Sequence, residues 1–414
     1  MAVVKPFQAI LPAKEYAADI AALPYDVYNR EEARKAVSDN PLSFLAIDRA
    51  ETTLDEAVDI YDSSVYERAR ELFLERLQTG YFVKDDRPCF YLYRLTMADR
   101  SQTGVVGLCS VEEYLNGTIK KHESTRTDKE EDRVRHIEAL NAQTGPIFMA
   151  YKQDRTLKKL ISEATECPPF IDFTSGDGVT HQAWRVTDEN IIAAIEEAFC
   201  RHKSIYIADG HHRCAAAARV AVKRLADNPE LSKEEPSRYI MSVLFSEEEL
   251  LIMDYNRVVD SLGGMTKEAF LEALSKVFIV TLLGRKARKP VYKGQITMYL
   301  DGEWYLLECS DSCFTGDPVA DLDVSILQKY VLEPLLQIKD PRRDKHIDFV
   351  GGIRGLEALE QKVRKGRGVA FAMYPTDIKE LFAVADKGLL MPPKSTWFEP
   401  KLRSGLFLHS LQNR

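Results

Sequence analysis

The stretch that most constrains this chain is KSIYIADGHHRCAAAAR, Lys203 to Arg219, where an apolar run gives way within two residues to an alanine-rich one. Ser204 to Ala208 is short and apolar enough for a buried strand. Cys214 to Val222 is strongly helix-forming, so Asp209-Gly210 is the turn and the helix begins at the histidines. A strand that feeds a helix directly calls for an architecture that layers helices on a sheet. Ala215 to Ala218 would let that helix lie close against the strands.

A helix start presents unsatisfied backbone N–H groups and the positive end of the helix dipole, which together attract anions. His211, His212 and Arg213 would add side-chain donors, and Gly210 would let the backbone approach a ligand closely. Phosphate fits these groups. Asp209 would then hold a metal bridging the phosphates, or accept a proton from a substrate hydroxyl. Merely capping the helix would require Asp209 alone and leave the other polar side chains unexplained. A zinc site is disfavoured, because adjacent histidines diverge by about 100° around a helix and no second His or Cys pair lies nearby.

Away from this stretch the pattern predicts α+β architecture with a mixed sheet. Helices are expected over 64–79, near 155–165 and near 188–201. Strands are expected at 89–97 and 103–115, paired across a turn in MADRSQTG, and at 146–152. Hairpins are expected near 170–186, between 238–246 and 250–259, and at Asp301-Gly302. The domains expected are an N-terminal α+β region, 1–100, a core, 101–260, and a C-terminal α+β domain, 261–414.

A second polar concentration runs from Lys120 to Leu140. Thr127 and Glu130 fit a capping box that would start a helix at about Asp128, leaving His122, Glu123, Ser124, Thr125 and Arg126 in the loop before it. This is either a second helix start with phosphate-binding groups or a solvated charged segment. Asp26 falls in a loop before a helix capped by Asn29, and Asp254 with Arg257 could form a surface ion pair. The stiff, proline-rich segment 391–405 reads as a lid that would bring Lys394 over a polyanion, or as a structural strap anchored by Trp397 and Phe398.

The net charge of −8 gives no broad attraction for nucleic acid or acidic lipid. With no long apolar run and no signal-peptide pattern, a cytoplasmic location is expected, and membrane association is not. The seven cysteines are odd in number and lack a CxxC pattern, so they read as reduced thiols, mostly buried.

IADGHHRCAAA resembles the signature of the ParB/sulfiredoxin superfamily. PYDV, HEST, ADGHHR, DYNR and MPPKSTWFEPKLRSG together resemble domain of unknown function 1015 over nearly the whole chain. The superfamily resemblance implies a nucleotide-binding core, with Gly210, His211, His212 and Arg213 on the phosphate motif and Asp209 at the acidic position of its free-serine-kinase branch. Sulfinate repair is disfavoured, since histidines stand where sulfiredoxins carry cysteine. A DNA clamp is disfavoured too, since no helix-turn-helix or basic tract is evident. The resulting expectation is a phosphotransferase using ATP or ADP with Mg²⁺ on the hydroxyl of a small metabolite, free serine being the best single guess. Asp209, Glu123 and His212 are its candidate catalytic groups. His122, Thr125, Arg126 and Lys394 join the helix start in binding the nucleotide. A nucleotide-hydrolysing regulatory protein and a phosphohydrolase are the rival readings, and assembly into a homo-oligomer is left open.

Overall fold

The computed structural model describes residues 1–366 and 368–412 and divides into two compact units, Met1–Leu250 with Pro400–Arg414, and Leu251–Glu399. The fold is α+β with a large mixed sheet.

In the first unit the strands of the large sheet are β1 (Val4–Lys5), β2 (Phe90–Met97), β3 (Arg100–Ser110), β4 (Ile119–Lys120), β5 (Ile147–Tyr151), β6 (Ile171–Thr174), β7 (Thr180–Val186), β8 (Ile205–Asp209) and β9 (Tyr239–Ser246). They lie in the order β4-β8-β5-β9-β3-β2-β7-β6, with β1 also against β3. Strand β8 is parallel to β4 and antiparallel to β5, and β9 is parallel to β5. The remaining ladders are antiparallel. The helices of ten or more residues are α1 (Arg30–Asp39), α2 (Ser63–Gln78), α3 (Thr127–Leu140), α4 (Arg155–Ala164), α5 (Glu189–Cys200) and α6 (His211–Asp227).

Helix α6 packs on the sheet as its composition requires. Cys214, Ala216, Ala217, Ala218, Val220 and Ala221 join Ile147, Met149, Ile205 and Ile207 in one buried cluster. A second cluster around Phe44, Ile47, Val65, Phe73 and Phe82 builds the N-terminal part of the unit.

The second unit holds β10 (Tyr255–Val259), β11 (Phe278–Gly284), β12 (Gln295–Leu300), β13 (Glu303–Cys309), β14 (Ile347–Gly351) and β15 (Val369–Met373), ordered β11-β13-β12-β15-β10-β14. The hairpin expected at Asp301-Gly302 joins β12 to β13, and both turn residues have positive φ, 51° and 82°.

Three local expectations are corrected. The turn between β2 and β3 is only Ala98-Asp99, because the polar residues from Arg100 to Thr103 continue the ladder, and Val111–Leu115 is a helix capped by Ser110. Residues 238–246 and 250–259 do not form a hairpin: β9 pairs with β3 and β5, while β10 pairs with β14 and β15. Alternation identifies a strand but does not choose its partner. Third, the capping box at Thr127 and Glu130 does not form. Glu130 instead accepts a hydrogen bond from Thr125 and lies 3.6 Å from Arg219, so α3 starts one residue early with Arg126 at its N-cap.

Among the described residues no helix is long and apolar enough to cross a membrane. Cys89, Cys109, Cys214 and Cys313 are buried free thiols, Cys200 and Cys309 are partly buried, and Cys167 is exposed.

Candidate functional site

Strand β8 is buried through Ala208 and shifts register against β5 between Ile207 and Asp209, an irregularity of the kind that re-aims a side chain at a strand end. Gly210 follows in the left-handed region at φ 93°, which a side chain would strain, and forms the N-cap of α6 without any side-chain cap. Asp209 is therefore not the cap of this helix. Its Oδ1 accepts from the Gly210 N–H at 2.8 Å and its Oδ2 accepts from Lys401 Nζ at 2.8 Å. Burial opposes ionisation of Asp209, but Lys401 and Arg213 outweigh it and hold the carboxyl below the usual carboxylate range.

The Arg213 guanidinium has a defined seat. Nη1 donates to the Pro146 carbonyl at 3.0 Å, and a Cβ on Gly145 or Gly210 would come within 2.8 Å of Nη1 or 3.1 Å of Nη2. Both glycines leave room for the planar group.

The histidines contribute differently from what the sequence suggests. His122 and His211 are 2% and 5% exposed and meet edge to face with ring centroids 4.5 Å apart. Burial pushes His122 down to about 4 and, with His122 beside it, drives His211 well below the ordinary histidine range. Both rings are neutral at pH 7, so Arg213 and Lys401 supply the positive side chains beside Asp209. His122 Nδ1 and His211 Nε2 are buried without a hydrogen-bond partner, a costly arrangement that calls for an explanation. Glu123 Oε2 lies 3.7 Å from His211 Nδ1. His212 is also held neutral by burial, and its Nε2 accepts from the Arg126 backbone N–H at 3.1 Å.

That bond joins two helix starts. In the first unit α1, α2, α4 and α5 are capped by Asn29, Asp62, Asp154 and Asp188, whereas α3 and α6 have no side-chain cap. Among the described helices of ten or more residues in this unit, the two without a cap are the two that meet, through His212 and Arg126. The Arg126 side chain points elsewhere, pairing with Asp128 at 2.7 Å.

Beside them lies a cavity of about 510 Å³ walled by Tyr25, Asp26, Arg30, Asp48, Arg133 and Tyr66, among others. A narrow crevice lined by Tyr25, Asp48 and Arg133 also reaches Arg213, Gly145 and Ser404. Asp26, exposed in the short turn Tyr25–Val27, acts electrostatically on His212.

The structure thus gathers Asp209, Gly210, His211, His212, Arg213, His122, Glu123, Thr125 and the Arg126 backbone within one unit. Lys394 belongs to the second unit, where its carbonyl accepts from Arg257 and its ammonium stands 5.6 Å from the Tyr255 ring centre. Arg257 is buried and forms no pair with Asp254, which bonds Lys289 and Asn256 instead. Lys401 was missed. It stands in the quoted C-terminal motif, but nothing in its spacing ties it to a carboxylate 192 residues away.

A divalent cation at Asp209 would find one carboxylate, and among the described residues no cluster of three His, Cys, Asp or Glu side chains is arranged to hold a metal. The residues do not fit a resident metal.

The chain belongs to the family described as "Protein of unknown function (DUF1015)", which matches residues 4–325. No curated protein matches it. Solved structures similar to it include SbnI with a C-terminal truncation from Staphylococcus aureus, at 15% identity and TM-score 0.37 over 71% of this chain and 82% of that one. A conserved hypothetical protein from Pyrococcus furiosus is similar at 14% identity and TM-score 0.33, over 73% and 93%. A free serine kinase in complex with AMP is similar at 12% identity and TM-score 0.32, over 71% and 86%.

Proposed function

We propose that the first unit is a nucleotide-dependent phosphotransferase that moves a phosphoryl group from ATP or ADP to the hydroxyl of a small metabolite, free serine being the leading candidate. The observation that carries this reading is the convergence of two uncapped helix starts around buried histidines with unpartnered ring nitrogens. Backbone N–H groups, Arg213 and neutral histidines are the donors a polyphosphate needs, and phosphoryl transfer asks a protein mainly for positioning and charge neutralisation.

The roles divide by charge. Arg213, His211, His122 and the α6 start bind phosphate oxygens, with Thr125 and the α3 start beside them. His212 accepts through Nε2, so its proton sits on Nδ1 and it serves as a donor. Asp209, kept ionised with its oxygens already engaged, suits the Mg²⁺ carried by the nucleotide better than it suits a base. When bound, that ion would neutralise phosphate charge. Glu123 and Asp26 remain to take the acceptor proton, Asp26 on the side of the cavity. A cavity lined by both charge signs and by tyrosines favours a small zwitterionic acceptor over an extended polyanion.

The test is incubation with a panel of nucleotides, Mg²⁺ and candidate hydroxyl metabolites, serine among them, followed by mass spectrometry. A phosphorylated acceptor is expected. Release of inorganic phosphate with no phosphorylated product would favour hydrolysis. Absence of any nucleotide binding would overturn the reading. Asp26→Asn and Glu123→Gln should then separate the base, which loses turnover while keeping nucleotide affinity.

A further inference from the structure

Residues Pro400–Arg414 return to the first unit as a strap outside the stretch matched by the family. Leu402 to His409 are buried. Arg403 pairs with Asp177 and donates from Nη2 to Ser175 Oγ at 3.0 Å, and its Nε lies 3.2 Å from His181 Nε2. Ser404 exchanges two backbone hydrogen bonds with Ala22, at 2.8 and 3.1 Å, and the Gly405 N–H donates to the Thr144 carbonyl. The backbone beside Lys401 is therefore held on several sides. Lys401 itself carries its charge on a flexible four-carbon stem.

Resting on the phosphotransferase reading, we propose that Lys401 is a phosphate-handling residue, whose ammonium neutralises Asp209 here and passes to the polyphosphate when nucleotide binds. Three observations carry it. The Lys401 ammonium reaches Asp209 at 2.8 Å, beside the start of α6 where the phosphates would sit. The pair is not sealed, because the Asp209 side chain is 35% exposed while that of Lys401 is 14% exposed, so an anion can approach the carboxylate end and compete for the ammonium. And the neighbouring cation is already engaged, since Arg213 Nη1 donates to the Pro146 carbonyl. A polyphosphate carries several negative charges against the one on Asp209, and it draws the ammonium across. Asp209 is thereby released.

The whole chain should be treated with an acyl-phosphate derivative of ATP or ADP, whose mixed anhydride acylates a lysine amine lying against the phosphates and expels the nucleotide. Peptide mass mapping is expected to find the acyl group on Lys401, with labelling suppressed by excess free nucleotide. Calorimetry is expected to show nucleotide affinity falling at least tenfold in Lys401→Met and recovering in part in Lys401→Arg, which keeps the charge. Nucleotide-protected labelling confined to other lysines would overturn the proposal, as would Lys401→Met binding nucleotide as the parent does. If the parent chain binds no nucleotide, the phosphotransferase reading falls and this inference with it. If the parent binds nucleotide and Arg213→Ala weakens it while Lys401 is unlabelled and dispensable, only the role of Lys401 falls.

Discussion

Two kinds of helix start stand side by side in the first unit. Helices α1 and α5 begin at Asn29 and Asp188, whose side chains accept from backbone N–H groups two or three residues on. Helices α3 and α6 begin at Arg126 and Gly210 with no side-chain cap, although Ser124, Thr125 and Asp128 flank Arg126 and Asp209 precedes Gly210. Thr125 spends its hydroxyl on Glu130, and Asp209 turns to Lys401 and its own neighbouring amide. Among the helices of ten or more residues in this unit, the two left without a cap are the two joined by the His212–Arg126 bond. Donor groups left open in a partly buried place are stabilised by what binds there.

The sharpest way to break this contrast is to remove the fixed cation from one open start. Arg213→Ala is expected to weaken nucleotide binding by about 1.5 to 3 kcal/mol, roughly ten- to 150-fold, with the fold retained. Titration calorimetry on a protein whose circular dichroism is unchanged measures it. Unchanged affinity would mean that the α6 start does not hold phosphate. A smaller effect is expected from Gly210→Ala. The new Cβ would be forced into the left-handed region, costing about 1 kcal/mol of stability, and would press on Arg213 from 3.1 Å, lowering affinity several-fold. A Gly210→Ala protein as stable and as tight-binding as its parent would show that neither the turn nor the guanidinium seat matters.

Much of the fold and of the site was legible where it is local. The passage from β8 into α6, the capping of α1 by Asn29 and the turn at Asp301-Gly302 each follow from a few adjacent residues whose preferences agree. What escaped depends on contacts between distant parts of the chain. Lys401 reaches Asp209 only because Arg403 and Ser404 pin the strap to segments near residues 175 and 22. The cavity wall joins Tyr25 and Asp48 to Arg133, and no spacing announces that meeting. The neutrality of His122 and His211 was hidden for another reason: residue type suggests a positive group near phosphate, whereas burial decides the charge. Even the failed capping box at Thr127 is a tertiary effect, since Arg219 from α6 helps draw Glu130 away.

The smallest effect discriminates best, because it acts at a closed start. Asp188 Oδ1 accepts from the Asn190 and Ile191 N–H groups at 2.8 and 3.2 Å, and α5 buries Ile195, Ala198 and Phe199. Asp188→Ala removes that acceptor, and the freed amides turn to water at a loss of about 1 kcal/mol, seen as a fall of roughly 2 to 4 °C in Tm. Nucleotide affinity should stay at the parent value, since the donors of this start are already spent and Asp188 serves only its own helix. The opposite pairing is expected at α6, where affinity suffers more than stability. If Asp188→Ala weakened nucleotide binding as much as Arg213→Ala does, the loss would reflect general loosening of the unit, and the difference between capped and uncapped starts would have no bearing on where the phosphates bind.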